Sequence, residues 1–186
     1  MPGLLFVLSG PSGAGKTSLA KELTSRIPNA AQLVTTTTRR PREGEIDGVH
    51  YHFMPRDSFL RGIAAGDFIE HAEVYGNLYG ASHHVVEAMR EAHEYVFAVV
   101  DVQGAAAYKK HIPDAFTLFL RPSLEDVERR IRALRTDAPE DEVARRLALA
   151  KSEIAKADSF DAVIENHEGC FDEAVHDALA ALFARA

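Results

Sequence analysis

The sequence predicts an α/β fold: a parallel sheet with helices on both faces. Four short, largely apolar runs, at residues 4–8, 96–100, 116–120 and 162–164, have the length and composition of strands buried on both faces. Each is followed by apolar residues at helical spacing, and such alternation calls for parallel strands joined by crossover helices. The first run ends in Gly10-Pro11-Ser12-Gly13-Ala14-Gly15-Lys16-Thr17, which fits G-x-x-x-x-G-K-[ST]. That pattern belongs between a buried strand and a helix, where it stands here. The fold expected is a phosphate-loop (P-loop), three-layer α/β/α core.

After the run at 4–8, Leu19, Leu23 and Ile27 share one helix face, and Pro28 stops the helix. Tyr95 heads the second run and Asp101 closes it. After the third, Ser123-Leu124-Glu125-Asp126 has the form of a capping box opening a helix. Val143, Leu147, Ala150, Ile154 and Ala157 stripe the next helix, and residues 136–141, with Pro139, read as the exposed tip of a helical hairpin. Phe171, Ala174, Val175, Ala178, Leu179, Leu182 and Phe183 stripe the last helix. Residues 35–80 break this rhythm. They hold Gly44, Gly48, Gly62, Gly66, Gly76 and Gly80, with β-like pieces at 49–53, 68–71 and 73–75, and Asp47-Gly48 signals a hairpin turn. A small mixed-β lobe inserted in the core is expected there.

Composition narrows the function classes. At 186 residues, 46% apolar and 26% charged, the chain is one globular domain's worth, which excludes disordered, collagen-like and coiled-coil architectures. Twenty-one basic against 28 acidic residues give a net charge of −7, which argues against nucleic acid or an anionic membrane as partner. A single cysteine, Cys170, allows no internal disulfide and no Cys-rich zinc set, and fits a reducing compartment. The N-terminal apolar run is too short for a signal-peptide core or a membrane span, so a cytoplasmic protein is expected. Nine histidines include His50 and His52 on one strand face and the pair His83-His84, but no Cys or acidic partners complete a zinc set at recognisable spacing.

The P-loop carries the clearest chemistry. Its glycines permit positive φ, so backbone N–H groups and the following helix N-terminus converge on phosphate oxygens. Gly10, Pro11, Ser12, Gly13, Ala14, Gly15, Lys16 and Thr17 therefore form a nucleoside triphosphate site. Lys16 reaches the β- and γ-phosphates, and Thr17 offers a hydroxyl to Mg²⁺. A second cluster runs from Thr35 through Arg39-Arg40-Pro41-Arg42-Glu43-Gly44-Glu45 to Tyr51. Arginine forks suit a phosphate held bidentately, and the plain alternative is a solvated basic loop.

The segment T-T-R-x-P-R-x-G-E-x-x-G-x-x-Y at 37–51, with the P-loop, Phe68-Ile69-Glu70, Gly76-Asn77-x-Tyr79-Gly80 and Asp101-x-Gln103-Gly104, resembles the guanylate kinase family. The resemblance extends over essentially the whole chain, through residues 160–166. It implies transfer of a phosphoryl group from ATP to GMP, and to dGMP, with Mg²⁺, in purine nucleotide metabolism. It implies that Arg39, Arg42, Tyr51 and Tyr79 hold the GMP phosphate and that Glu45 orients them. Glu70 takes the guanine edge, and Thr35 also reads the base. A carboxylate accepts from both N1–H and N2–H of guanine, whereas adenine presents a lone pair at N1, which makes such a site selective. Arg130, Arg135 and Arg146 match arginines of a helical lid that act with Lys16 and Arg39 on the moving phosphoryl group, and Asn166 matches a position near the adenine of ATP.

Two positions depart from the family pattern. Ala81 stands where a Ser or Thr bonds guanine O6, so either Ser82, next in the chain, substitutes or one O6 contact is missing, and Val99 replaces the first aspartate of D-x-D-x-Q-G. Asp101 matches the second aspartate, for a Mg²⁺ water or the guanine amino group. The implied organisation is a core of residues 1–34 and 91–186 carrying a lid at about 126–150, and a GMP-binding lobe at 35–90. Partners are GMP and ATP, with no oligomeric state implied. Two other readings stand beside this one: a non-catalytic guanylate-kinase-like binding module, and a kinase for another phosphorylated acceptor such as a ribose bisphosphate.

Overall fold

The structure, a computed structural model, describes residues 2–74, 76–134 and 139–185. In chain order the elements are β1 (Leu4–Ser9), α1 (Lys16–Arg26), β2 (Ala30–Gln32), β3 (Thr36–Thr37), β4 (His52–Phe53), α2 (Arg56–Ala65), β5 (Phe68–Val74), β6 (Asn77–Ser82), α3 (His83–Ala92), β7 (Tyr95–Val99), α4 (Val102–His111), β8 (Phe116–Arg121), α5 (Leu124–Leu134), α6 (Glu140–Ile154), a 3₁₀ turn (Ala157–Ser159), β9 (Ala162–Glu165) and α7 (Phe171–Arg185).

Five strands form the central sheet in the order β2-β7-β1-β8-β9, all parallel. All four apolar runs are strands, and the three-layer core is as expected. β1 lies at the centre, and its alternating side chains divide two cores. Phe6 and Leu8 pack with Leu19, Leu23, Val175 and Leu182 of α1 and α7. Leu5 and Val7 pack on the other face with Val86 of α3 and Ala105 and Tyr108 of α4. Phe6 lies opposite Phe97 and Phe116, its ring 5.6 Å and 5.8 Å from theirs. The segments after β1, β7 and β9, which carry the P-loop, Asp101 and Asn166, leave this sheet at its carboxyl edge, where ligands bind in open α/β sheets.

The four-stranded sheet β4-β3-β6-β5 corrects the expected hairpin. Asp47-Gly48 does not join antiparallel strands, since β3 and β4 pair in parallel. Asp47 instead accepts the Phe53 N–H at 2.8 Å, and the Gly48 N–H reaches Tyr51 O at 2.8 Å, closing a loop. The piece at 49–53 shrinks to His52–Phe53 plus a bridge from Asp47 to Tyr51. The pieces at 68–71 and 73–75 form one strand, β5, hairpinned to β6 past Gly76 at φ 76°, and Tyr75 lies outside the described residues. Helices α2 and α3 and strand β2 add to the expected elements.

Helices α5 and α6 pack on each other through Val127, Ile131, Val143, Leu147 and Ala150, forming a small core apart from the sheet. Of the expected hairpin tip, residues 136–138 lie outside the described residues, Pro139 caps α6 and Asp141 is already in its first turn. Ala157 belongs to the 3₁₀ turn rather than to α6. The capping box at Ser123 is half made. The Asp126 N–H donates to Ser123 Oγ at 3.0 Å, but the Asp126 carboxylate turns to the Glu168 N–H at 3.3 Å and to Arg129. No helix among the described residues is long and apolar enough to cross a membrane.

Candidate active site

The P-loop wraps the space above β1. Gly10 sits at φ 142°, and a Cβ there would lie 2.4 Å from Leu120 O. Gly15, at φ 95°, precedes α1, and its Cβ would lie 2.9 Å from Asn166 Nδ2. Neither position admits a side chain. Helix α1 opens with no side-chain cap and no acidic residue in its first turn. Its first N–H groups are left for an anion. Lys16 Nζ donates to Gly10 O at 2.6 Å and Pro11 O at 3.0 Å. Burial lowers the Lys16 pKa, while Glu153 and Asp101 push it back up. The loop's outward carbonyls are held from behind. Asn166 Nδ2 donates to Ala14 O at 2.7 Å, and Arg130 donates to Gly13 O at 2.9 Å. Ser12 and Thr17 are exposed.

The arginine cluster sits at the far end of the mixed sheet. Arg39 donates from both Nη atoms to Glu45, at 2.9 and 2.8 Å, and the Arg42 N–H donates to the same carboxylate at 2.7 Å. The Arg39 bond first, then the Arg42 N–H, hold the Glu45 pKa at about 2, and Glu45 and Tyr79 raise that of Arg39. The Arg39 guanidinium lies 5.4 Å over the Tyr51 ring, which meets the Tyr79 ring edge-on at 6.0 Å. Arg39, Glu45, Tyr51 and Tyr79 thus form one cluster, with the Arg42 side chain exposed beside it. The threonine run before it does structural work. Thr37 Oγ1 donates to Leu78 O at 3.0 Å, and Thr38 Oγ1 accepts the Leu78 N–H at 2.9 Å. Thr35 is half-buried, and its carbonyl accepts the His52 N–H at 2.9 Å.

Glu70 is placed by a β-bulge. Phe68 pairs with Ser82 and Glu70 with Ala81, so Ile69 and Glu70 together face a single residue of β6. Ile69 fills the apolar cluster with Ala81, and Glu70 is left partly exposed beside it. Burial first, and the charge of Asp101 second, raise the Glu70 pKa to about 7 against a small opposing effect of the Ala81 N–H. Asp101 caps α4, accepting the Gly104 N–H at 2.8 Å, and acts electrostatically on both Lys16 and Glu70. It therefore stands where the two half-sites meet. Ser82 is not brought to Glu70. Neighbouring strand residues face opposite ways, and its Oγ caps α3, accepting the Val85 N–H at 3.3 Å. The Ala81 methyl is buried in the core, so no hydroxyl stands in the expected O6 position.

On the helical hairpin, Arg146 pairs with Glu142 at 2.8 Å. Arg130, past the middle of α5, donates to the P-loop carbonyl of Gly13. Arg135 lies outside the described residues. Arg132 is tied to Glu128 and Glu140 on the surface.

A sequence model described as "Guanylate kinase" matches residues 3–185. Guanylate kinases of Thiobacillus denitrificans and Myxococcus xanthus are 43% and 44% identical, covering 96% and 98% of this chain and 85% and 87% of theirs. The chain belongs to the guanylate kinase family. The crystal structure of guanylate kinase from Anaplasma phagocytophilum aligns with a TM-score of 0.68 at 30% identity, over 99% of this chain and 87% of that one.

Two features of this guanylate kinase site escape the sequence pattern. Glu153, on α6, acts on Lys16 and Asp101 across the mouth of the P-loop. Only the fold brings it there, since it reads as one more charge on a helix. The Asn166 side chain is buried, and its Oδ1 has no partner among the described residues. A lone Asn after a strand carries no sign of that.

Proposed function

We propose that this chain transfers the γ-phosphoryl group of ATP to GMP, and to dGMP, as an ATP:GMP phosphotransferase of purine nucleotide metabolism. The observation that carries this is the placing of two anion cradles, the P-loop and the Arg39 cluster, with Glu70 and Asp101 between them. ATP phosphates take the loop N–H groups, and Lys16 leaves its carbonyl partners to follow the transferred group. The GMP phosphate lies against Arg39, Arg42, Tyr51 and Tyr79, with Glu45 holding Arg39 flat. Its oxygen is already anionic, so attack on the γ-phosphorus needs positioning and charge neutralisation rather than a strong base. Glu70 as carboxylate accepts the guanine N1–H and N2–H, Thr35 borders the base, and Asp101 faces the amino group. Asn166 Oδ1 is an acceptor suited to the adenine amino group.

Arg130 and Arg146 bring charge from the lid as it closes, and we assign Arg135 to the same set. Exposed oxygen donors at Thr17 and Asp101 would hold a Mg²⁺ ion, a hard cation suited to such ligands. When bound, that ion neutralises charge on the β- and γ-phosphates. We take residues 35–90 as the moving acceptor lobe and about 126–150 as the lid, on a core of 1–34 and 91–186. Free nucleotides rather than nucleic acid are its partners, and the single cysteine fits work in the cytoplasm. A coupled assay with ATP and Mg²⁺, offering GMP, dGMP, AMP, UMP and CMP, tests this. Turnover confined to the guanine acceptors is expected, and equal use of AMP would overturn it.

A further inference from the structure

The Tyr108 side chain is among the largest wholly buried ones, and its hydroxyl has no hydrogen-bond partner among the described residues. A buried hydroxyl left unpaired costs free energy, and nearly all such groups find a partner in the working state. Among the described residues, the only buried side-chain donors without a partner are this hydroxyl and that of Ser9. Tyr108 lies on α4, in the core, and α4 packs against β5, the strand that carries Glu70. Ile69 and Ala81, on either side of the bulge, sit in the same apolar cluster as the Tyr108 ring. The phenol also senses the Glu70 charge, which adds to burial in disfavouring its ionised form.

The capacity of the carboxylate completes the argument. A carboxylate offers about four acceptor positions. The guanine N1–H and N2–H take two, and the Ala81 N–H leans on a third. One remains, on a group enclosed once the base covers it. We propose that Tyr108 is a positioning residue for guanine recognition, its hydroxyl donating to the Glu70 carboxylate when the lobe closes on GMP. The bond joins core to lobe and fixes the rotation of the carboxylate, so that both its oxygens meet the base. At a site where Ala81 supplies no hydroxyl for O6, the base then depends more heavily on that orientation. The inference rests on the guanine reading of Glu70 given above.

The test is Tyr108→Phe, which removes one oxygen and leaves the packing. The kcat/KM for GMP should fall about tenfold, the worth of one hydrogen bond to a charged group. The loss should lie mainly in the KM for GMP, with the KM for ATP and the AMP rate unchanged. With Tyr labelled at ¹³Cζ, the Tyr108 signal should shift on adding GMP, and should not shift in Glu70→Gln. Normal GMP kinetics in Tyr108→Phe, beside a narrowed GMP/AMP ratio in Glu70→Gln, would overturn this inference and leave the guanine reading standing. Equal losses for GMP, AMP and ATP would also overturn it, as general damage to the core. An unchanged GMP/AMP ratio in Glu70→Gln would remove the guanine reading itself, and this inference with it.

Discussion

Replacing Glu70 by Gln should weaken the acceptor site and strengthen the fold. The carboxyl pKa rises from an ordinary 4.5 to about 7, first through burial and then through the charge of Asp101. The folded state therefore binds this proton more tightly than the unfolded chain does. Above pH 7 the group is ionised in both states, and the native state carries the full penalty. As pH falls through 7 towards 4.5 the native carboxyl takes up its proton, and the penalty disappears. At about 1.4 kcal/mol per tenfold in proton affinity, the penalty at pH 8 is roughly 3 kcal/mol at most. Gln carries no charge and escapes it. Glu70→Gln should thus raise Tm by several degrees at pH 8, since 1 kcal/mol is about 2–4 °C in a chain of this size, and by almost nothing at pH 4.5. Catalysis should move the other way. Gln presents one acceptor and one donor, so one guanine N–H meets a donor, and kcat/KM for GMP should fall about 10- to 100-fold with little change for AMP. Calorimetry across pH 4.5–8 and acceptor kinetics on the same samples check both halves. A variant no more stable at pH 8 than at pH 4.5, relative to the parent, would refute the burial argument.

Lys16→Ala should cut turnover by about 100-fold or more, because one electrostatic contact to the moving phosphoryl group is worth roughly 3 kcal/mol; steady-state rates with unchanged circular dichroism check this. Arg39→Lys keeps charge but loses the fork to Glu45 and the contact with Tyr51, so the KM for GMP should rise far more than that for ATP, and Arg42→Lys should act in the same sense. Asn166→Ala leaves the Ala14 carbonyl without its buried donor and should lower stability by about 1–3 kcal/mol while raising the KM for ATP, as read by denaturant titration and kinetics. Small-angle scattering should show a more compact particle with both nucleotides bound than with none, and equal radii would count against the closing lobe and lid.

The core was legible because its strands are largely apolar runs and its loop motif is set by backbone geometry. The lobe was harder to read. Asp47-Gly48 has a hairpin's turn chemistry, yet the Asp47 side chain closes a loop onto Phe53 and the strands beside it run parallel. Strand β4 has two residues, too few for any period to register. Arg39, Glu45, Tyr51 and Tyr79 were legible as a group through the family resemblance, whose motifs hold all four in two short segments. Glu153 and Tyr108 were not, since each meets the site only through packing of its helix. Ser82 was misleading for a simple reason. Being next in sequence to Ala81 puts its side chain on the opposite face, where it caps α3.

On the proposed reading of Glu70, the two-against-one pairing of Ile69 and Glu70 with Ala81 makes base choice sensitive to the length of the gene as well as to its spelling. A codon exchange at position 70 alters one side chain and leaves the ladder alone. An in-frame loss of the codon for Ile69 would restore ordinary pairing, and the carboxylate would inherit Ile69's place among Leu5, Val96 and Tyr108. The strand would then bury a charge in the core, or slip and turn every following side chain over. An inserted codon would put a second extra residue into the same ladder. In a library of single-codon deletions, loss of Ile69 should lower folded yield sharply, whereas loss of Glu70 would leave Ile69 paired with Ala81 in the core and cost far less. Substitutions at Glu70 should remain soluble and differ in which nucleotide they accept.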